Sequence, residues 1–246
     1  MEVCAHIEPV ELQHLRRHDR VTWGILGGMG PIASSDLVRK IYQRASDGRR
    51  EQLMPSLVMH SDCSTPDRTA AVLNDAPGVL VDHLAGSACA LERAGADVIV
   101  IACVTAHWVL PALRHRVGLP ILSLIDLLHC APELHAERHL VVATHGSRKA
   151  NLFAHLPATA ILPDEDNQAR LHDAIYVLKS TGDRQRLVDA VQHGMDRHRC
   201  TAVLAGCTEV GLIRPQLPPD IGILDPMDLV SDAIWDVSNL HHHEAA

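Results

Sequence analysis

This chain has no C-x-x-C pair, no H-E-x-x-H, no run rich in Lys and Arg and no long apolar stretch, and each absence removes a class of function. Seven cysteines, at positions 4, 63, 89, 103, 130, 200 and 207, form an odd set without paired spacing, which fits neither a secreted disulfide framework nor a Cys-ligated zinc site. Reduced thiols in a soluble cytoplasmic protein are the simpler reading. Eighteen histidines are scattered through polar and helical segments and make no ligand ladder, so no metal is expected. A formal charge of −8 with a pI near 6.1 argues against nucleic acid as a partner and requires a local cationic site for any acidic substrate. The lack of about 18 consecutive apolar residues, and of an apolar segment behind the charged N-terminus, argues against a membrane partner or a secretion signal. Nor does a Gly/Ser linker or low-complexity segment divide the chain.

What is present alternates between two periods. Residues 1–20 read as a charged leader, and Val21 to Leu26 as a first strand closed by Gly27-Gly28-Met29-Gly30-Pro31. Pro31 suits the first position of a helix over 31–46, whose N-terminus with Ser34 and Ser35 could present backbone N–H groups to a carboxylate. A strand at 56–60, a helix at 78–94 stopped by Gly95 and a strand at 97–102 follow. The order then repeats: strands at 139–144, 158–162 and 201–206, with helices at 166–179 and 183–198. The fold class is α/β, two pseudo-symmetric parallel-sheet domains over 21–124 and 125–225 with the site in the cleft between them. A last helix at 227–239, within a 226–246 segment, is expected to pack back on the first domain before a frayed tail at His241-His242-His243.

The duplication puts two cysteines in matching places. Cys103 follows Asp97-Val98-Ile99-Val100-Ile101-Ala102, and Cys207 follows Thr201-Ala202-Val203-Leu204-Ala205-Gly206. Both runs suit strands covered on both faces, with a helix starting just beyond. A thiol at a helix N-terminus can be shifted toward the reactive thiolate. Two facing thiols make a two-base proton-transfer device, because inversion at carbon needs an acid and a base on opposite faces. The bland reading of one such cysteine is a small buried apolar residue. The matched pair argues otherwise, and Cys4, Cys63, Cys89, Cys130 and Cys200 lack that context.

In order and spacing, Gly24-Ile25-Leu26-Gly27-Gly28-Met29-Gly30-Pro31, Pro66-Asp67-Arg68-Thr69, Cys103-Val104-Thr105-Ala106-His107, Ala174-Ile175-Tyr176 with Lys179, and Gly206-Cys207-Thr208-Glu209 resemble the aspartate/glutamate racemase family, and its aspartate branch better than its glutamate branch. The resemblance implies a cofactor-independent amino-acid racemase, commonly a homodimer, using no PLP, metal or nucleotide. It makes Cys103 and Cys207 the catalytic pair on opposite faces of the α-carbon of an acidic amino acid. Arg68 and Lys179 match positions that resemble a clamp for the side-chain carboxylate, a role suited to a bidentate guanidinium and a point charge. Met29, Gly30, Thr105 and Thr208 would supply donors for the α-carboxylate and the developing enolate charge. Their alternatives are capping by the threonines and tight-turn geometry at the glycines. Glu209 and His107 would tune the thiols, against the plainer readings of a helix-start carboxylate and a core histidine.

Two positions depart from the family pattern. Val104 stands where an Asn usually follows the first cysteine, and Ser61-Asp62 where a Ser-Asn pair often precedes Pro-Asp-Arg-Thr. Both bear on the expected contacts to the amino-acid head, which points away from ordinary aspartate as the preferred substrate. Two other functions compete: a related isomerase or decarboxylase acting on a dicarboxylate, which Val104 favours, and a non-catalytic paralogue that binds an acidic metabolite. Retention of both cysteines weighs against the first, because decarboxylation needs only one proton donor, and the intact pair with Arg68 and Lys179 weighs against the second.

Overall fold

The computed structural model describes residues 9–15, 20–44 and 51–239. Expectations for most of the leader, for Cys4, for the end of the first long helix at 45–46 and for the three-histidine tail fall outside them. In the first half, β1 (Thr22–Gly27), β2 (Ser56–Ser61), β3 (Val98–Ile101) and β4 (Ile121–Leu122) form an all-parallel sheet in the order β2-β1-β3-β4. In the second, β5 (His139–Val142), β6 (Ala160–Ile161), β7 (Ala202–Ala205) and β8 (Gly222–Leu224) repeat the permutation as β6-β5-β7-β8. Every residue of β3, β5 and β7 is buried, as expected for parallel strands covered on both faces.

The helices of the first half are α1 (Val10–Leu15), α2 (Pro31–Gln43), α3 (Arg68–Leu73), α4 (Pro77–Arg93) and α5 (Leu110–Arg114). They are followed by α6 (Leu124–Cys130), α7 (Glu133–Ala136), α8 (His145–Lys149), α9 (Glu165–Thr181), α10 (Gln185–His198) and α11 (Pro226–Asn239). Their ends follow local chemistry. Pro31 opens α2, where its missing N–H loses no bond. Asp164 caps α9 by accepting from Asn167 N at 3.0 Å, and Gly182, at φ 78°, closes it in the left-handed conformation. Thr144 and Ser123 cap α8 and α6 in the same way as Asp164. Short 3₁₀ segments, Thr105–Val109 and Thr208–Gln216, follow β3 and β7.

Several elements lie where the periodicity shows nothing. Two- and three-residue strands such as β4 and β8 are too short for a period to register, and α3 is one and a half turns hidden among turn-forming residues. The described part of the leader is also more than a charged extension. Leu12 and Leu15, three apart on α1, are 4% and 2% exposed and join the core, a helical spacing masked by the surrounding charges.

The largest core cluster runs through both halves. It unites Trp23, Ile25 and Val100 of the first sheet with Val141, Ala143 and Leu204 of the second, and with Val230 and Ile234 of α11. The C-terminal helix packs against α2 and α6. There Lys40 Nζ meets Asp225 Oδ2 at 2.5 Å and Asp228 Oδ1 at 2.8 Å, a buried cluster that ties α2 to the start of α11.

Candidate active site

Because β3 and β7 hold equivalent places in their sheets, the residues just beyond them are delivered to the carboxyl ends of both sheets, where parallel α/β units bind ligands. Cys103 and Cys207 each sit two residues past the strand, 5% and 4% exposed, and line one small pocket. From the first half the cavity also takes Met29, Arg68, Val104 and Thr105; from the second, Lys179, Thr208 and Glu209. Gly30 does not line it, but a Cβ there would lie 2.7 Å from Glu209 Oε1, so the glycine makes room for that carboxylate. Asp67, Thr69 and Tyr176, which sequence reasoning passed over, complete the wall. Their signal was present, since all three lie inside the motif segments that carry the family resemblance.

Arg68 opens α3 and turns its guanidinium back on the loops. Nη1 donates to Pro66 O at 3.1 Å and Thr65 O at 3.3 Å, and Nη2 to Met29 O at 3.0 Å. Its Nε is buried with no hydrogen-bond partner among the described residues. Burial opposes its charge, but the neighbouring Cys103 sulfur and Asp67 outweigh that, so its pKa is raised. Lys179, on the inner face of α9, lies 3.7 Å from Glu209 Oε1 and 5.3 Å from the Tyr176 ring centroid. Its pKa is raised too: burial works against the charge and is outweighed by Cys207, Glu209 and Cys103. Two firmly charged cations therefore face the two sulfurs.

The thiols have different company. Cys207 donates its S–H to Glu209 Oε2 at 2.8 Å, and Thr208 Oγ1 donates to the same oxygen at 3.2 Å. Burial pushes the Cys207 thiol far up, the Glu209 charge pushes it further, and Lys179 pulls only partly back, so this sulfur holds its proton. Beside Cys103 the neighbour is a neutral imidazole. His107 Nε2 accepts from Leu124 N at 3.0 Å, which leaves Nδ1 as the donor to Cys103 O at 2.9 Å. Burial lowers the pKa of His107 to about 4. It is thus a neutral core tether between the Cys103 backbone and the start of α6, not a charge acting on the sulfur.

Other expectations resolve differently. The N–H of Gly28 is taken by Ser34 Oγ at 3.2 Å rather than offered to a ligand, and Met29 gives its carbonyl to Arg68. Gly28 itself, at φ 90°, passes so close to the Asp62 backbone that a Cβ would lie 2.5 Å from it. Asp62 is not in the cavity wall: its carboxylate accepts from Ser64 N at 2.9 Å and meets His83 Nε2 at 2.9 Å, so this departure from the family pattern serves the loop. Val104, by contrast, lines the cavity while 1% exposed within the shared core. Thr105 Oγ1 lies 2.8 Å from Ser147 Oγ and 3.3 Å from Thr144 Oγ1, a buried hydroxyl group joining the halves. Gly146 allows that approach, since a Cβ there would meet Thr69 Cα at 2.7 Å. Among the described residues, no group of three or more His, Cys, Asp and Glu could hold a metal ion, and no helix is long and apolar enough to cross a membrane.

The chain is similar to known proteins over most of its length. The family model for Asp/Glu/hydantoin racemases matches residues 26–234. The broad specificity amino-acid racemase RacX of Bacillus subtilis (strain 168) is 21% identical over 217 residues, covering 82% of this chain and 91% of RacX. The aspartate racemase of Picrophilus torridus superposes with a TM-score of 0.75 at 22% identity, over 89% of this chain and 94% of its own. A glutamate racemase from Campylobacter jejuni subsp. jejuni gives 0.59 at 16% identity, over 87% and 85%. With two parallel-sheet units of matching order and a family match that spans most of its length, the chain belongs to the Asp/Glu/hydantoin racemase family.

Proposed function

We propose that this amino-acid racemase inverts the α-carbon of an acidic amino acid, aspartate, glutamate or a close analogue, with Cys103 and Cys207 as opposed acid and base and no cofactor. The observation that carries the reading is that equivalent strand ends of two duplicated halves bring two buried thiols into one cavity together with two cations. The substrate's α-carbon lies between the sulfurs. A thiolate at Cys103, facing Arg68 and Lys179, takes the α-proton of one enantiomer, and the Cys207 thiol protonates the opposite face. In the reverse direction Cys207 is the thiolate base and Cys103 the thiol acid; Glu209, the hydrogen-bond acceptor of Cys207, takes the Cys207 proton and passes it to solvent, while Cys103 gains one from solvent. Arg68 and Lys179 hold the substrate's carboxylates and stabilise the charge that spreads onto the α-carboxylate once the proton has left.

The test is α-proton exchange followed by NMR in D₂O with L- and D-aspartate and L- and D-glutamate. Exchange at the α-carbon with formation of the other enantiomer is expected, and it should persist after dialysis against EDTA and without added PLP. Binding without exchange, or activity restored only by zinc or PLP, would overturn the proposal.

A further inference from the structure

An amino acid enters at neutral pH with an ammonium group, and taking that charge out of water without an anionic partner costs far more than burying a neutral polar group. The position beside Cys103 that could offer an amide is Val104, which has no acceptor to give. Of the two carboxylates in the cavity wall, Glu209 is paired with a cation: Oε2 accepts from Cys207 and Thr208, and Oε1 faces Lys179 at 3.7 Å. Asp67, itself exposed, makes no ion pair among the described residues. Its Oδ1 accepts from Ala70 N at 2.7 Å as the cap of α3, and the Tyr176 hydroxyl lies 3.0 Å from Oδ2 and 3.2 Å from Oδ1. A carboxylate has about four acceptor sites, so Asp67 retains capacity for one more donor. The Tyr176 contact also reaches across the cleft, from α9 of the second half to α3 of the first.

We infer that Asp67 is the binding residue for the substrate's ammonium group, and that Tyr176 is the positioning residue that aims its carboxylate from the opposite half. This rests on the racemase reading above and adds to it the polarity of the bound substrate: carboxylates toward Arg68 and Lys179, ammonium toward Asp67. The arrangement explains how a site with an apolar residue at position 104 can still discriminate an amino acid from the diacid lacking the amine.

Asp67→Asn tests the assignment cleanly, because Asn caps a helix as well as Asp does and loses only the charge. For wild type, Asp67→Asn and Tyr176→Phe, KM is measured by D₂O exchange on aspartate and glutamate. The inhibition constants of succinate and glutarate, which keep both carboxylates and lack the amine, are measured alongside. Asp67→Asn should raise KM by about ten- to a hundred-fold, the worth of one charge-assisted hydrogen bond, with diacid inhibition unchanged or tighter. Tyr176→Phe should move KM in the same direction by a smaller factor, about three-fold, again sparing the diacids, because it leaves the Asp67 charge in place and removes only the group that aims it. An unmoved KM in Asp67→Asn, or equal weakening of amino acid and diacid, overturns the assignment; the second result would make the pair a structural clasp. Should Asp67→Asn fail to fold by circular dichroism, Tyr176→Phe decides alone by the same comparison. No exchange by the wild type would overturn the racemase reading instead, and this inference with it.

Discussion

Cys103 and Cys207 stand at the same offset beyond β3 and β7, yet what touches each differs in charge and in point of attachment. In the first half the helper is His107, neutral, bonded to the backbone carbonyl of Cys103 and to Leu124 N. In the second it is Glu209, bonded to the sulfur itself. A duplicated scaffold thus fixes where the two groups stand while leaving their protonation to local side chains. Lys179 faces both sulfurs and Arg68 the first, but only Cys207 has a carboxylate bonded to it. This asymmetry does not make the enzyme directional: the two enantiomers have equal free energy in solution, so kcat/KM must match in both directions, and the unequal thiols can only divide the steps between them.

The most severe way to break the comparison is to delete either sulfur. Cys103→Ala and Cys207→Ala should each lower racemisation by about 10³-fold or more, the range of a positioned acid or base, with the fold intact by circular dichroism. Each variant should retain α-proton exchange for one enantiomer, and the favoured enantiomer should be opposite in the two. Full turnover of both enantiomers by either variant sinks the two-thiol mechanism.

Acid probes the neutral tether of the first half. His107 titrates at about 4 in the folded protein, against about 6.5 in an unfolded chain. Between these values the unfolded state binds more protons. The stability His107 contributes is therefore complete above pH 6.5 and is lost as the pH falls through 4, amounting to about 3 kcal/mol by pH 4. Urea unfolding between pH 7 and 4 should show this slope in the wild type and a flatter one in His107→Gln; identical slopes would remove the imidazole from the account.

Glu209→Gln sharpens the second half. It should lower kcat/KM for both enantiomers equally by roughly 10²-fold, as loss of a proton acceptor implies. Since the Glu209 charge raises the Cys207 pKa, neutralising it should speed iodoacetamide labelling of Cys207 at pH 8. Labelling at an unchanged rate would show that the hydrogen bond does not govern the thiol. The smallest expected effect belongs to Val104→Asn, which restores an amide beside Cys103 and should raise kcat/KM for aspartate by about ten-fold, or about 1.4 kcal/mol at the transition state. Val104 lies in the shared core, so a loss of about 1–3 kcal/mol in stability should accompany the gain if the amide finds no partner. A wild type already near 10⁴ M⁻¹s⁻¹ on aspartate and unimproved by Asn would make Val104 a harmless substitution.

What the sequence disclosed tracks how local each cause is. Strands β3 and β7 were legible because short β-branched runs buried on both faces leave a continuous apolar signature, and the thiols follow from strand ends. The pairing of Cys207 with Glu209 spans two positions and was visible as proximity, though not as a hydrogen bond. Tyr176 and Asp67 are 109 positions apart, and only the closing of the two halves brings them together. No period or spacing encodes such a contact. Asp62 shows the converse: at a departure from pattern read as a change of substrate contact, the carboxylate is held by Ser64 of its own loop and by His83 of α4.

The apolar cluster that joins Trp23 and Val100 to Val141 and Leu204 has a consequence for how the molecule comes apart. Neither duplicate unit owns a complete interior, so a chain cut near residue 130 would leave each fragment with a water-facing side that the intact protein keeps dry. Heat or denaturant should then melt both units in one cooperative transition, with calorimetric and van't Hoff enthalpies in agreement. The duplication visible in strand order is, thermodynamically, a single object.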